Sequence, residues 1–187
     1  MFTGLVQELG RVTGVRRSDD GVRLEVRSRA ASELAVGDSV AVNGVCLTAV
    51  VVDDGSFEAD VMNETLQRSS LREARPGAGV NIELPMRAGD RFGGHLVQGH
   101  VDGIGTVSEL QDDGFARRVR VSAPADVMRY IVEKGSIAVD GISLTVAELD
   151  DASFTVSLIP ETIARTNLAD ARQGTIVNLE VDVLAKY

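Results

Sequence analysis

The 187-residue chain predicts an all-β protein of two similar small domains, each a closed antiparallel barrel of about six short strands with one or two short helices. Three observations carry that expectation. First, the stretch 37–48, GDSVAVNGVCLT, returns at 134–145 as KGSIAVDGISLT. The offset of 97 then holds without a gap, pairing Phe57 with Phe154, Glu64 with Glu161, Leu71 with Leu168 and Glu83 with Glu180. Between 37–83 and 134–180 there are 20 identities in 47 positions, where unrelated segments of average composition would share roughly 3. The chain is therefore an internal duplication, and each half, 1–95 and 96–187, has the length of one domain. Second, segments rich in β-branched residues alternate apolar and polar, as half-buried strands do. Third, turn signals separate them at short intervals, which suits a barrel or sandwich. The barrel is favoured because closure removes unpaired sheet edges.

The elements follow in order. Residues 1–12 are a short apolar run, and 13–21 hold a polar turn, RRSDDG. VRLEVRS (22–28) is a strand, and 30–36 allow one helical turn. SVAVNGVCLTAVVV (39–52) is strand-like but interrupted at Asn43-Gly44. Both residues tolerate positive φ, so the pair closes a hairpin or marks a bend or bulge. SFEADVM (56–62) alternates again. ETLQRSSLREARPG predicts a short helix near 65–70, with Thr65 as its cap and Pro-Gly as its stop. VNIELPM (80–86) is a strand, and the Gly-rich 86–95 is the linker. LVQGHVDGIGTV (96–107) matches the N-terminal run at an offset of 95 and reopens the pattern. RRVRVSA (117–123) is a strand, and PADVMRYIVEKG (124–135) predicts a helix with Pro near its start and Gly at its end. SIAVDGISLTVAEL and SFTVSLI are strands, ETIARTNL is the second short helix, and IVNLEVDVLAKY (176–187) is the last strand.

Composition narrows the function. A net charge of −9 with no basic cluster argues against nucleic acid, which requires a positive footprint, and against an anionic membrane surface. No apolar run approaches the ~18 residues that span a bilayer. The N-terminus shows no export signal. A single cysteine, Cys46, forbids an intrachain disulfide, so a reduced, cytoplasmic setting is expected. Phosphate loops, nucleophile elbows and paired-cysteine metal motifs are lacking, and two histidines cannot make a metal centre alone.

What remains is polar residues beside strands. Taken singly, each has a plain structural explanation. Cys46 behaves as a small hydrophobe, Ser143 as a satisfied hydroxyl and Thr48 and Thr145 as β-formers. Glu64-Thr65 and Glu161-Thr162 start helices, His100 is a turn residue, and Lys134 ends a helix. Barrel packing, however, requires only periodic apolar residues. It does not require the same NG/DG, LT and ET dipeptides twice. Their repetition suggests that each half binds the same chemical group, with backbone and hydroxyl groups suited to a flat heterocycle with amide edges.

MFTGLVQ, GDSVAVNGVCLTAV, GGHLVQGHVDGIGTV, DGISLTV and IPETIARTNL followed by VNLEVD resemble, in order and over nearly the whole chain, the riboflavin synthase family of the duplicated-barrel type. The resemblance implies two six-stranded Greek-key barrels. It implies a cytoplasmic transferase that uses no metal or redox cofactor and converts two molecules of 6,7-dimethyl-8-ribityllumazine into riboflavin and 5-amino-6-ribitylaminouracil by four-carbon transfer. Carried over by position, it places one pocket at Gly4, Leu5 and Val6 with Cys46, Leu47 and Thr48 and the run Asp60, Val61, Met62, Asn63, Glu64, Thr65. The other pocket takes Gly99, His100 and Val101, Lys134, Ser143, Leu144 and Thr145, and the run Ser157, Leu158, Ile159, Pro160, Glu161, Thr162. Phe2, Ser39, His100 and Asp182 stand where the family has residues important to activity. His100 with Ser143 and Thr145 is expected to handle the C7-methyl proton at one site, and Cys46 with Thr48 to assist nucleophile addition at the other. The family implies a homotrimer whose working site lies between subunits, with lumazine synthase as a candidate partner. Its members continue into a C-terminal helix beyond the position of VLAKY (183–187), so the chain as it stands sets a monomer against that trimer. The competing function is a non-catalytic lumazine- or flavin-binding antenna protein of the same fold. Such relatives lose polar residues from one barrel, whereas both LT and both ET pairs, Cys46, Ser143 and His100 are present here. A barrel serving only protein contacts leaves the repeated dipeptides unexplained.

Overall fold

Strand alternation decides which side chains fill each barrel. In the computed structural model, which describes residues 1–187, the first half forms β1 (Glu8–Ser18), β2 (Gly21–Arg27), β3 (Ser39–Val42), β4 (Val45–Asp53), β5 (Ser56–Met62) and β6 (Gly79–Glu83). The second half forms β7 (Gly103–Asp113), β8 (Ala116–Ser122), β9 (Ser136–Val139), β10 (Ile142–Leu149), β11 (Ser153–Leu158) and β12 (Ile176–Val181). The first six close antiparallel in the order β1-β2-β5-β4-β3-β6, and the second six repeat that order. This is the duplicated Greek-key pair expected. Register shifts fall at matching places, Val12/Gly14 with Val107/Glu109 and Ala49/Val51 with Val146/Glu148. Bulges bend strands, and bent strands let six close. Each interior is one apolar cluster around a buried phenylalanine, Phe57 or Phe154.

Several boundaries differ from expectation. β1 runs on through the polar RRS to Ser18, because it pairs with β2 as far as Ser18 opposite Gly21, leaving only Asp19 and Asp20 to turn. The first short helix, α1, is Asn63–Arg68, entered from Met62, with no side-chain cap from Thr65. Residues 124–135 form only one helical turn, α2 (Ala125–Met128). Val127, Met128 and Ile131 must all face the core, and the chain bends through i→i+3 hydrogen bonds to do so. The third helix, α3, is Pro160–Arg165. The last strand stops at Val181, after which Asp182 caps a 3₁₀ turn over Val183–Lys186.

The two barrels meet along a polar seam. Asn43-Gly44 and Asp140-Gly141 are two-residue hairpin turns with φ of 47° and 75°, and 46° and 76°, the left-handed pair that such turns need. The turn tips touch each other. A Cβ on Gly44 would lie 2.6 Å from the Gly141 nitrogen, and one on Gly141 2.7 Å from that of Gly44. Asn81 donates to the Asp140 carbonyl at 2.9 Å, and Asn178 to that of Asn43 at 2.8 Å, so each barrel closes its neighbour's turn. The repeat is broken at Asn167, which replaces Ser70 and donates to Asp140 Oδ2 at 2.7 Å.

Candidate functional site

On β4, Val45, Leu47 and Ala49 point inward, leaving Cys46 and Thr48 on the outer wall. Ala59 of β5 lies opposite Ala49 and is likewise buried, so Asp60 and Met62 share that wall. Ser39 pairs with Thr48 from β3, and α1 follows at once with Asn63, Glu64 and Thr65. The second half builds the same wall from Ser143 and Thr145 on β10, Ser157 on β11, then exposed Ile159 and Pro160, Glu161 and Thr162 of α3. Leu47, Val61, Leu144 and Leu158 are core side chains, so only their backbone is available to a ligand. Glu64 and Glu161 are tied to Arg68 and Arg165 one helical turn on. Asn63 donates to the Asp19 carbonyl at 2.8 Å. Arg23 clamps Asp60 through two bonds of 2.7 and 2.8 Å, and that pairing holds the carboxyl below its ordinary range.

The segments that complete these walls cross over, which corrects the grouping expected from sequence. Gly4 lies on the second barrel, where its carbonyl accepts the Ser143 N–H at 2.7 Å. Gly99 lies on the first, where its carbonyl accepts the Cys46 N–H at 2.9 Å. Both glycines have positive φ, and a Cβ would sit 2.7 Å from Ser143 Cβ or 2.5 Å from Cys46 Cβ. Gly4, Leu5 and Val6 therefore belong with Ser143, Leu144 and Thr145, and Gly99, His100 and Val101 with Cys46, Leu47 and Thr48. Val6 accordingly packs against the second core and Val101 against the first. The cause is an antiparallel bridge, Phe2 to Val97, that zips the two leading segments together between the barrels. Phe2 is fully buried there with Ala41, Val97 and Ala138, so its side chain anchors the crossing and does not face an outer wall.

The crossing also separates His100 from Ser143. The histidine at Ser143 is His95, whose Nδ1 lies 2.7 Å from Ser143 Oγ. His95 is 7% exposed, and its Nε2 is buried with no hydrogen-bond partner. Burial pushes its pKa down, against the opposing charge of Asp182, so the ring is neutral at neutral pH. In the sequence His95 falls at the end of the linker 86–95. No repeat signal could mark it, because a 95-residue offset places its counterpart before Met1. Lys134 is the remaining asymmetry. Its N–H donates to Val146 O at 2.8 Å, beside Thr145, as Gly37 donates to Ala49 O in the first half. It holds φ of 64° where its counterpart is glycine at 97°.

Each wall thus offers a threonine hydroxyl, a strand-to-helix corner and a glycine backbone from the crossing segment, in two versions that differ at Cys46/Ser143 and in their histidine, buried His95 bonded to Ser143 on one and exposed His100 beside Gly99 on the other. The family described as lumazine binding domain matches residues 3–85 and 98–182. Riboflavin synthase of Mycobacterium bovis is 54% identical over 192 aligned residues, covering 100% of this chain and 96% of the relative. That of Actinobacillus pleuropneumoniae is 45% identical over 188 residues, covering 100% and 87%. Among solved structures, LumP complexed with riboflavin superimposes with a TM-score of 0.90 at 24% identity over 97% of this chain and 99% of that one. LumP complexed with 6,7-dimethyl-8-(1'-D-ribityl)lumazine gives 0.88 at 24% identity and the same coverage. At that identity the structures show the fold.

Proposed function

The chain belongs to the riboflavin synthase family, and on that footing we propose that each outer wall binds one of two identical substrate molecules. The reaction is the dismutation of 6,7-dimethyl-8-ribityllumazine, in which one molecule gives a four-carbon unit to the other and riboflavin and 5-amino-6-ribitylaminouracil result. The observation that carries the site assignment is the duplication of the wall itself. A reaction between two copies of one molecule needs two similar recognition surfaces, and two walls with the same Thr48/Thr145 and Glu64-Thr65/Glu161-Thr162 frame provide them.

The walls then divide the work. The C7-methyl of one lumazine must lose a proton, and the carbanion spreads into the ring. A neutral imidazole beside Ser143 Oγ can take up that proton through the hydroxyl, so the lumazine on the Ser143 wall is the one deprotonated. On the other wall no histidine is hydrogen-bonded to Cys46, and His100 arrives there exposed on the Gly99–Val101 segment, so its lumazine is the one attacked at C7, with Thr48, His100 and that backbone at the ring. Holding two rings face to face removes much of the entropic barrier to their meeting. Since both walls face outward on one chain, we assign the working site to the meeting of the first barrel of one subunit with the second barrel of another, in a cytoplasmic homotrimer that a lumazine synthase can feed. The domains divide at 95/96, with the crossing segments exchanged.

The test is to mix the protein with 6,7-dimethyl-8-ribityllumazine, follow riboflavin by absorbance, and measure mass in solution on the same sample. Steady riboflavin formation at trimeric mass is expected, with His95→Gln slowing turnover by roughly a hundredfold, the usual scale of a lost general base. Tight binding without riboflavin would make the protein a carrier, and full activity of His95→Gln would remove that residue from the proton path.

A further inference from the structure

Two buried carboxylates have no part in the chemistry above. Glu83 in β6 and Glu180 in β12 are 5% and 4% exposed, and neither forms a salt bridge. What each faces is backbone. Glu83 Oε1 accepts from the Thr3 N–H at 2.7 Å and the Thr3 hydroxyl at 2.8 Å, and Oε2 accepts from the Gly4 N–H at 3.0 Å. Glu180 Oε1 accepts from the Gln98 N–H at 2.6 Å, and Oε2 from the Gly99 N–H at 2.9 Å. Burying a carboxylate without a cation is costly unless donors converge on it. The arrangement nonetheless occurs twice, at equivalent positions, where a segment leaves its own barrel.

Each gripped segment ends on the other barrel's site strand. Glu83 holds 3–4, and Gly4 O then receives the Ser143 N–H. Glu180 holds 98–99, and Gly99 O then receives the Cys46 N–H. A carboxylate in one barrel therefore sets the backbone that lies on the wall of the other. We propose that Glu83 and Glu180 are positioning residues that act crosswise, Glu180 seating Gly99–His100 on the Cys46 wall and Glu83 seating Thr3–Gly4 on the Ser143 wall. This rests on reading the two walls as substrate sites and explains how each is kept in shape before substrate arrives.

Cys46 supplies the readout, being the only cysteine and partly exposed. Its rate of alkylation by iodoacetamide, measured on the full chain without lumazine, reports how firmly segment 98–100 is seated. The comparison is made at pH 8, above the value of about 7 to which burial, joined by Asp102, raises the Glu180 carboxyl. Glu180→Gln turns an amide N–H toward a backbone N–H, and alkylation is expected to quicken about tenfold while Glu83→Gln changes it less than about twofold. Should Glu180→Gln not fold, Gly99→Ala, which displaces the same segment, must give the same acceleration and Gly4→Ala none. Glu180→Asp, which restores the charge, must recover most of the parent rate. Equal acceleration by both glutamine variants, or by neither, overturns the crosswise assignment. Absence of riboflavin formation in the parent chain would overturn the reading of the walls and leave the alkylation contrast standing.

Discussion

Lys134 departs at the residue scale from folding preference. Its φ of 64° costs an L-residue about 1 kcal/mol relative to glycine, which the first half uses at the same position. Its backbone lies beside Thr145, and if the Ser143 wall is a substrate site, an ammonium there has a lumazine carbonyl or ribityl hydroxyl to meet. Lys134→Gly is accordingly expected to raise stability by roughly 1 kcal/mol in urea unfolding while weakening lumazine binding to the Ser143 wall in a titration. A variant that loses stability would show that the lysine is held by packing. His95 stands at the same scale. Its chemistry comes from burial beside one hydroxyl and could not be read from spacing, since its neighbour in space lies 48 positions away in the chain.

At the element scale the hairpin turns matter most. Asn43-Gly44 and Asp140-Gly141 were legible as turn signals, and positive φ at both residues of each confirms the hairpin over the bend. Their second duty was not legible. The tips abut so closely that a methyl on Gly44 would overlap backbone of Gly141, where no flexible side chain can yield. Gly44→Ala therefore combines a left-handed alanine with a displaced partner turn, and a loss of at least about 2 kcal/mol is expected in chemical denaturation. Gly55→Ala is the control. It too has positive φ, 81°, but nothing lies within 4 Å of its Cβ, so only the smaller conformational cost should appear. Equal losses would mean that the tip contact contributes nothing.

For the whole molecule, the seam makes stability depend on pH. Burial raises the Asp140 carboxyl from an ordinary 3.8 to about 6, against hydrogen bonds from Asn178 and Asn167 that favour its charge. A group raised in the folded state adds stability that is complete below its unfolded pKa and lost as pH rises through the folded one. The contribution of Asp140 is thus full below about 4 and gone above about 6. Asp140→Asn does not titrate there. Its stability relative to the parent should climb by roughly 3 kcal/mol between pH 4 and pH 7, whatever constant offset its amide introduces against Asn167. His95, pushed the opposite way, is common to both proteins and cancels in the difference. A difference that stays flat with pH would place Asp140 in contact with water.

The sequence by itself determined the duplication, the all-β class, the strands and the residue types on the two walls, because each depends on local alternation, turn chemistry and a repeat within one chain. Local polarity predicts a turn where β1 in fact continues, because its polar residues gain partners only from β2, and local pattern predicts a helix over 124–135 where core-facing residues force a bend. Tertiary structure alone decided which segment completes which wall. The family resemblance, carried over by position, groups Gly4 with Cys46 in one pocket, yet the Phe2–Val97 bridge exchanges the leading segments and sends each glycine to the opposite barrel. The physical reason is that backbone pairing across a seam depends on which strands stand side by side in space, and no periodicity along the chain records it.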